Sequence, residues 1–451
     1  MNIIIVGSGT VGAAICSELV RGGHDVTVID ISASSIAEIT NSCDVTGLVG
    51  NGTDIKLLRE AGAETADMLI AITMQDEINM LCCYAAKKLG TTHTVARVRN
   101  PEYSSFMEFM KDDMALSLTI NPEFAVAKEL QRMIKFPAAT RVDTFCHGKV
   151  EIAEFTVSQG SPLCDLSLYD LRNKFNIKFL VCGVQRDDEV FIPSGNFVIK
   201  AGDNLCVTGA DGELVKFFKA AGAYRKPIKK ILITGGGRTT YYLAELLGKA
   251  LSGTTIIEKD INVCRELSES FNIDVIHGDG TKQELLLEEG IEKADAFLAL
   301  SDVDEENAIV SMYAKNLGVP RVVTMIRSLP YIDFFSDVGL ESIVSPKSST
   351  VDYIIRFVRS LDGTKDSEIE SFHSMMDGKI EAAEFKIKEQ IEGLTEIPIF
   401  ELKRKKNCLL ACIVRRNDII IPTGADMLLV GDRIIVLTAA KKLTNVKDIL
   451  A

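Results

Sequence analysis

Ile3-Ile4-Ile5-Val6-Gly7-Ser8-Gly9-Thr10-Val11-Gly12, with Asp30 eighteen residues beyond Gly12, is the stretch that decides the fold. An apolar run of strand type ends in a GxGxxG turn that opens a helix. A second apolar run, residues 26–29, ends on the acid. In that context each glycine has a task. The first permits the tight turn, the second lets backbone approach a pyrophosphate, and the third lets helix and strand pack closely. The pyrophosphate would rest on free N–H groups at the positive end of the helix. A surface charge there gains about 0.3–1 kcal/mol. Asp30 would accept hydrogen bonds from a ribose diol, which disfavours a 2′-phosphate and so favours NAD(H) over NADP(H).

Outward from this turn, apolar runs recur at residues 45–49, 68–72 and 94–98. Segments with helical spacing separate them, such as Val11, Ile15 and Leu19, and the stretch from Asp76 to Leu89. Strand–helix alternation implies an α/β fold, a Rossmann-like parallel sheet with helices on both faces. Thr73-Met74 lies at the carboxyl end of the fourth strand, facing the crevice where such sheets bind ligands. Arg97 and Arg99 end the next strand, and alternation puts both on one face. There they meet phosphate charge or pair with surface carboxylates.

The chain contains this unit twice. Gly7-Ser8-Gly9 recurs as Gly235-Gly236-Gly237, an offset of 228. The same offset carries Asp30 to Glu258, Asn51-Gly52-Thr53 to Asp279-Gly280-Thr281, and Thr73 to Ser301. It also carries Asp76-Glu77 to Asp304-Glu305, Asn79 to Asn307, and Tyr103 to Tyr331. This is duplication of a whole domain, since solenoid periods are only about 20–50 residues. Copy 2 departs from the motif. Gly235-Gly236-Gly237-Arg238-Thr239-Thr240 lacks the third glycine, and a side chain at Thr240 is expected to push helix and strand apart. Arg97 becomes Met325, Arg99 stays as Arg327, and Arg238 adds a cation near the phosphates. Copy 2 therefore binds a different nucleotide, binds weakly, or serves only as structure.

The segments behind each unit repeat as well. Gly148 to Phe155 matches Gly378 to Phe385, and Ile192-Pro193-Ser194-Gly195 matches Ile421-Pro422-Thr423-Gly424. The length prior suggests roughly three domains, but the repeats give four. These are Rossmann-like lobes at residues 1–122 and 228–346, and small α+β lobes at 142–225 and 370–451. Arg225-Lys226-Pro227 is the expected junction. Asn121-Pro122-Glu123 reads as a cap, a proline and a first-turn acid opening a helix, with Ser345-Pro346 as its counterpart. Both helices carry more apolar residues than a monomer needs, which makes them the expected contacts between copies of the chain.

Composition narrows the function. Net charge is −13, which argues against nucleic acid and anionic lipid as partners. Eleven scattered cysteines without a CxxC pair fit buried reduced thiols rather than zinc or disulfides. Five histidines show no HxH or HxxxH spacing, so no metal site is indicated. With no basic leader and no apolar run near the ~18 residues of a membrane span, the chain is expected to act in the cytosol. An NAD-dependent oxidoreductase would need a proton donor beside the nicotinamide. Tyr84 and Lys88 match YxxxK, but copy 2 has Met312 and Asn316 there. No Walker motif supports ATP hydrolysis. The expectation is a regulator and not an enzyme, with a soluble nucleotide-sensing scaffold as the other non-catalytic reading.

The glycine motif, Asp30, Gly50-Asn51-Gly52-Thr53, Asp76-Glu77-x-Asn79 and Ala96 to Tyr103 together resemble the RCK (KTN) domain family, over essentially the whole chain. The resemblance implies a homotetrameric ring docked under a membrane potassium-translocating subunit of Trk or Ktr type. Such a ring sits at the cytoplasmic face and gates its partner on binding NAD(H) or the adenine nucleotides ATP and ADP. It also implies the nucleotide contacts. In copy 1 these are Gly7, Ser8, Gly9, Thr10, Val11 and Gly12, with Asp30, Asn51, Thr73, Met74, Arg97 and Arg99. In copy 2 they are Gly235, Gly236, Gly237, Arg238, Thr239, Glu258, Asp279, Ser301 and Arg327.

Overall fold

The computed structural model describes the chain apart from residues 101–102, 104–115, 147, 176, 211, 224–227, 249–251, 328–334, 336–338, 341, 363–368, 377–378, 406, 417, 440–442, 444 and 451. The expected junction Arg225-Lys226-Pro227 lies outside the described residues, as do Pro101, Glu102, Tyr331 and Gly378 of the repeats.

Four sheets follow one another along the chain. The first holds β1 (Asn2–Val6), β2 (Asp25–Asp30), β3 (Thr46–Val49), β4 (Met68–Ala71), β5 (His93–Arg97) and β6 (Leu118–Ile120), ordered β3-β2-β1-β4-β5-β6 and parallel throughout. The second is antiparallel, built from β7 (Arg141–Phe145), β8 (Val150–Thr156), β9 (Phe179–Arg186), β10 (Glu189–Phe191) and β11 (Asn204–Gly209). The third repeats the first, with β12 (Ile231–Thr234), β13 (Thr254–Glu258), β14 (Asp274–His277), β15 (Ala296–Ala299), β16 (Arg321–Met325) and β17 (Ile343–Val344). The fourth, β18 (Ile369–Met375) to β22 (Arg433–Thr438), repeats the strand order of the second. The five apolar runs read in copy 1 all form strands. The sixth strand, β6, went unread because three residues carry no periodicity.

In each parallel sheet the order reverses at its first strand. Val6 pairs with Ile29 on one side and Ala71 on the other. The chain therefore leaves β1 and β4 in opposite directions and opens a crevice at their carboxyl ends. Ile3, Ile4, Ile5 and Val6 are all buried, as a sheet covered on both faces requires.

The chain forms two compact units, Met1–Gln131 with Lys229–Ile355, and Arg132–Ile228 with Arg356–Ala451. Within the first unit the two Rossmann-like lobes touch. Asn121 caps the helix Pro122–Lys135, its Oδ1 accepting from Phe124 N at 2.9 Å. That helix was expected to face another copy of the chain. Its apolar surplus is instead largely used within the chain. Val126, Ala127 and Leu130 are fully buried, and Phe124 meets Tyr242 edge-on at 5.3 Å. Gln131 Nε2 also donates to Leu246 O at 2.8 Å. Tyr242 and Leu246 belong to the helix Arg238–Leu247 of copy 2.

Within the second unit the two small lobes share one core. Phe145, Val150, Ile152, Cys182 and Cys206 of the first pack with Met375, Ile380, Ala382, Cys412 and Leu437 of the second. Two buried glutamates make the pairing reciprocal. Glu154 accepts from Met376 N at 3.1 Å, and Glu384 accepts from Cys146 N at 2.8 Å. Cys146 and Met376 both take the left-handed conformation, φ 52° and 51°. A lobe of this size buries only a modest core by itself. Here neither lobe has to complete its core alone.

Candidate nucleotide site

In crevice 1 the glycine turn and the acid form one clamp. Ser8 N donates to Asp30 Oδ2 at 2.7 Å, and Ser32 N donates to Asp30 Oδ1 at 2.8 Å. Each carboxylate oxygen keeps a further lone pair for a ribose hydroxyl. Burial raises the Asp30 carboxyl, but the amide hydrogen bonds from Ser8, Ser32 and Ile31 outweigh it, so it sits below its ordinary 3.8 and stays charged. Gly7 has φ +106°, and a Cβ on Gly12 would lie 2.0 Å from Gly7 O. A Cβ on Gly9 would meet nothing within 4 Å. The helix Thr10–Arg21 thus starts against the turn, and Gly9 faces open crevice.

On the other side of the crevice Asn79 ties two strand ends together. Its Oδ1 accepts from Thr73 N at 2.8 Å, and its Nδ2 donates to Arg97 O at 2.9 Å. Arg97 is buried. Its Nη2 donates to Thr73 O, its Nε has no hydrogen-bond partner, and no carboxylate ion-pairs with it among the described residues. Burial, then the neighbouring Arg99, lower its affinity for its proton, with Glu123 and Asp76 opposing. Arg99 makes the carboxylate contact instead, 3.6 Å from Asp76, and donates to Met74 O at 2.6 Å. Of the two arginines, Arg97 is the one with no carboxylate in direct contact among the described residues.

Crevice 2 repeats the frame. Gly236 N donates to Glu258 Oε2 at 2.5 Å, and Asp260 N donates to Oε1 at 2.8 Å. Asn307 reproduces the Asn79 clip, joining Ser301 to Met325 O at 2.9 Å. Thr240 does not break the turn. Its Oγ1 donates to Gly235 O at 2.6 Å, converting the contact made by Gly12 into a hydrogen bond. The residues before both helices have matching backbones, φ −63° at Gly9 and at Gly237. A cavity of about 340 Å³ lies here, lined by Gly235, Gly237, Glu258 and Ser301 among others.

Other anticipated residues take different places. Thr10 and Met74 are exposed at the crevice mouth of copy 1, and Val11 is half-buried. Asn51 and Asp279 each close a small turn, accepting from Thr53 N and Thr281 N at 3.0 Å. Thr239 turns inward, its hydroxyl 3.8 Å from Met325 Sδ. Gly236, Arg238, Asp279 and Arg327 are not among the residues lining the cavity. Lys259, Asp302, Val303 and Glu306 do line it and were missed. The signal was available, since Lys259 directly follows Glu258. Tyr84 and Lys88 stack on each other on the exposed face of their helix, Nζ 5.5 Å from the ring centre. All eleven cysteines are free, and burial lifts the Cys82 thiol to about 12.

A family model described as the TrkA-N domain matches residues 3–118 and again 231–346, and the TrkA-C domain matches residues 152–222. Over 461 aligned positions the chain is 30% identical to the Trk system potassium uptake protein TrkA homolog of Archaeoglobus fulgidus, covering 100% of both. The chain belongs to the TrkA family. Another member, the Trk system potassium uptake protein TrkA of Halomonas elongata, is 30% identical over 100% of this chain and 98% of its own. In this TrkA-family chain the TrkA-C match reaches only the first small lobe, while the second repeats its topology. Among solved structures, the GsuK RCK domain superposes with a TM-score of 0.64 at 19% identity, covering 97% of this chain and 92% of that one. The GsuK channel bound to NAD gives 0.64, covering 97% and 76%. The fold is thus of RCK type. No described helix is long and apolar enough to cross a membrane.

Proposed function

We propose that this chain is the nucleotide-responsive regulatory subunit of a potassium uptake system. Crevice 1 holds NAD(H), with ATP and ADP as competing adenine nucleotides. The carrying observation is the arrangement around Gly9. An open approach to the helix start, a charged Asp30 clamped to the glycine turn, and a buried Arg97 with no carboxylate in direct contact among the described residues suit a pyrophosphate flanked by a ribose diol. The named function of the full-length relatives and the NAD-bound channel of similar fold support the same reading.

The chain acts on a separate membrane subunit of Trk or Ktr type as a homotetramer at the cytoplasmic face. Nucleotide shifts it between two states only by its differential affinity for them. Couplings of this kind are about 1–3 kcal/mol, and several crevices in one assembly add their biases.

The ligand assignment is tested by calorimetric titration with NADH and NADPH. NADH is expected to bind more tightly, because a 2′-phosphate meets the Asp30 charge. Asp30→Ala is expected to weaken NADH and narrow the difference. Equal affinities for the two in the unaltered chain would overturn it. The partner is tested by recovery of the chain on membranes with and without the potassium-translocating subunit. Recovery that ignores the subunit contradicts the assignment.

A further inference from the structure

Crevice 2 keeps the frame of crevice 1 and shifts its charge toward negative. Arg97 gives way to Met325, and four carboxylates appear where copy 1 has Ser32, Asn51, Met74 and Ile78, namely Asp260, Asp279, Asp302 and Glu306. Two cations are gained, Lys259 and Arg238. Lys259 is already engaged, 3.2 Å from Glu306 and 3.5 Å from Asp279. Arg327 is paired with Asp302. Met325 is wholly buried, so an apolar side chain stands where crevice 1 holds its buried arginine.

The position of Asp302 matters most. A side chain on Gly237 would find Asp302 Oδ1 as its nearest neighbour, at 4.0 Å, whereas Gly9 faces open space. A carboxylate thus stands at the mouth of the glycine turn, on the path that a pyrophosphate would take. Its cationic neighbour Arg327 is drawn to this carboxylate, whose charge repels a phosphate's.

What remains is suited to the other half of a nucleotide. Glu258 is clamped as Asp30 is, with lone pairs left for a ribose diol. Ile257, Val263, Leu300, Val303 and Val310 give the cavity an apolar wall for a base. Its volume, about 340 Å³, falls in the range of small-ligand sites, about 300–1,000 Å³. We propose that crevice 2 takes an uncharged nucleoside and rejects ligands that carry a pyrophosphate. This rests on the reading of crevice 1 as the dinucleotide site, so the two are tested separately.

The experiment is calorimetric titration of the full chain with NADH, and with adenosine while NADH saturates crevice 1. The unaltered chain is expected to take one NADH per chain and one adenosine beside it. Adenosine binding should fall at least tenfold in Glu258→Ala and persist in Asp30→Ala. The paired change Asp302→Met with Met325→Arg should create a second NADH site. That gain cannot arise from misfolding. Two equivalent NADH sites in the unaltered chain, no adenosine binding, adenosine binding indifferent to Glu258→Ala, or no second NADH site in the paired variant would each overturn the proposal. Absence of NADH binding with adenosine binding intact would instead remove the reading of crevice 1 and leave that of crevice 2.

Discussion

Gly12 and Thr240 occupy equivalent places and meet the same neighbour, the carbonyl of the first glycine, in different ways. At Gly12 a Cβ would be 2.0 Å from that oxygen, and at Thr240 a hydroxyl donates to it at 2.6 Å. Gly12→Ala therefore overpacks the turn and is expected to cost about 1–3 kcal/mol. Thr240→Ala removes one hydrogen bond, about 0.5–1.5 kcal/mol. Urea unfolding followed with both variants checks this, and a Gly12→Ala chain as stable as the original would contradict it. Asp30 and the glycine turn were legible because their spacing is fixed by the fold. The rescue at Thr240 was not, because a missing glycine looks like lost packing until the hydroxyl finds its acceptor. Asp302 and Glu306 were illegible for a related reason, whereas Lys259 could have been read from its place beside Glu258. Each of the two acids is an ordinary surface charge until the fold gathers them around one cavity.

Among elements, the helix Arg238–Leu247 joins the two crevices. It starts at the glycine turn of copy 2, and its Tyr242 Oη donates to Arg99 O at 2.9 Å while receiving Asn121 Nδ2 at 2.8 Å. Tyr242→Phe removes both bonds and leaves Asn121 Nδ2 only its longer contact to Arg99 O at 3.4 Å. It is expected to lower stability by about 1–3 kcal/mol, read from thermal unfolding. An unchanged transition would show that the helix is held by apolar contacts alone. The helix at Asn121 was legible from its cap, but its partner was not. An apolar stripe states that something covers it and does not say whether the cover is the same chain or another.

A second element-scale junction is titratable. His373 on β18 lies 3.0 Å from Asp143 Oδ1 on β7 and 2.8 Å from Arg356 Nη1, with its ring 4.5 Å from that of Phe145. Burial holds the imidazole below its usual 6.5. Asp143 opposes that shift, and Arg356 and Arg141 add to it. The unfolded chain therefore takes up a proton at His373 at higher pH than the folded chain. Stability is lost as pH falls below 6.5 toward the lower folded value. Asp143 is held well below its ordinary 3.8 despite burial, through His373 and Arg141, so its own contribution fades only at more acid pH. Denaturation midpoints measured from pH 7.5 to 5 are expected to fall less steeply in His373→Gln than in the unaltered chain. Parallel slopes would contradict the assignment.

At the scale of the whole chain, the offset of 228 made the duplication legible. The reciprocal bonds of Glu154 and Glu384 were invisible, because they join residues more than two hundred positions apart. Duplication also allowed the two crevices to diverge, one keeping Arg97 and an open glycine turn, the other placing Asp302 before it. The central claim is that nucleotide in crevice 1 governs potassium movement through a separate membrane subunit. The direct measurement is potassium flux through that subunit in vesicles, with this chain added, across NADH and ATP concentrations. Flux is expected to change several-fold with nucleotide and to lose that response in Asp30→Ala. Flux indifferent to nucleotide, with the complex formed and the nucleotide bound, would contradict the account.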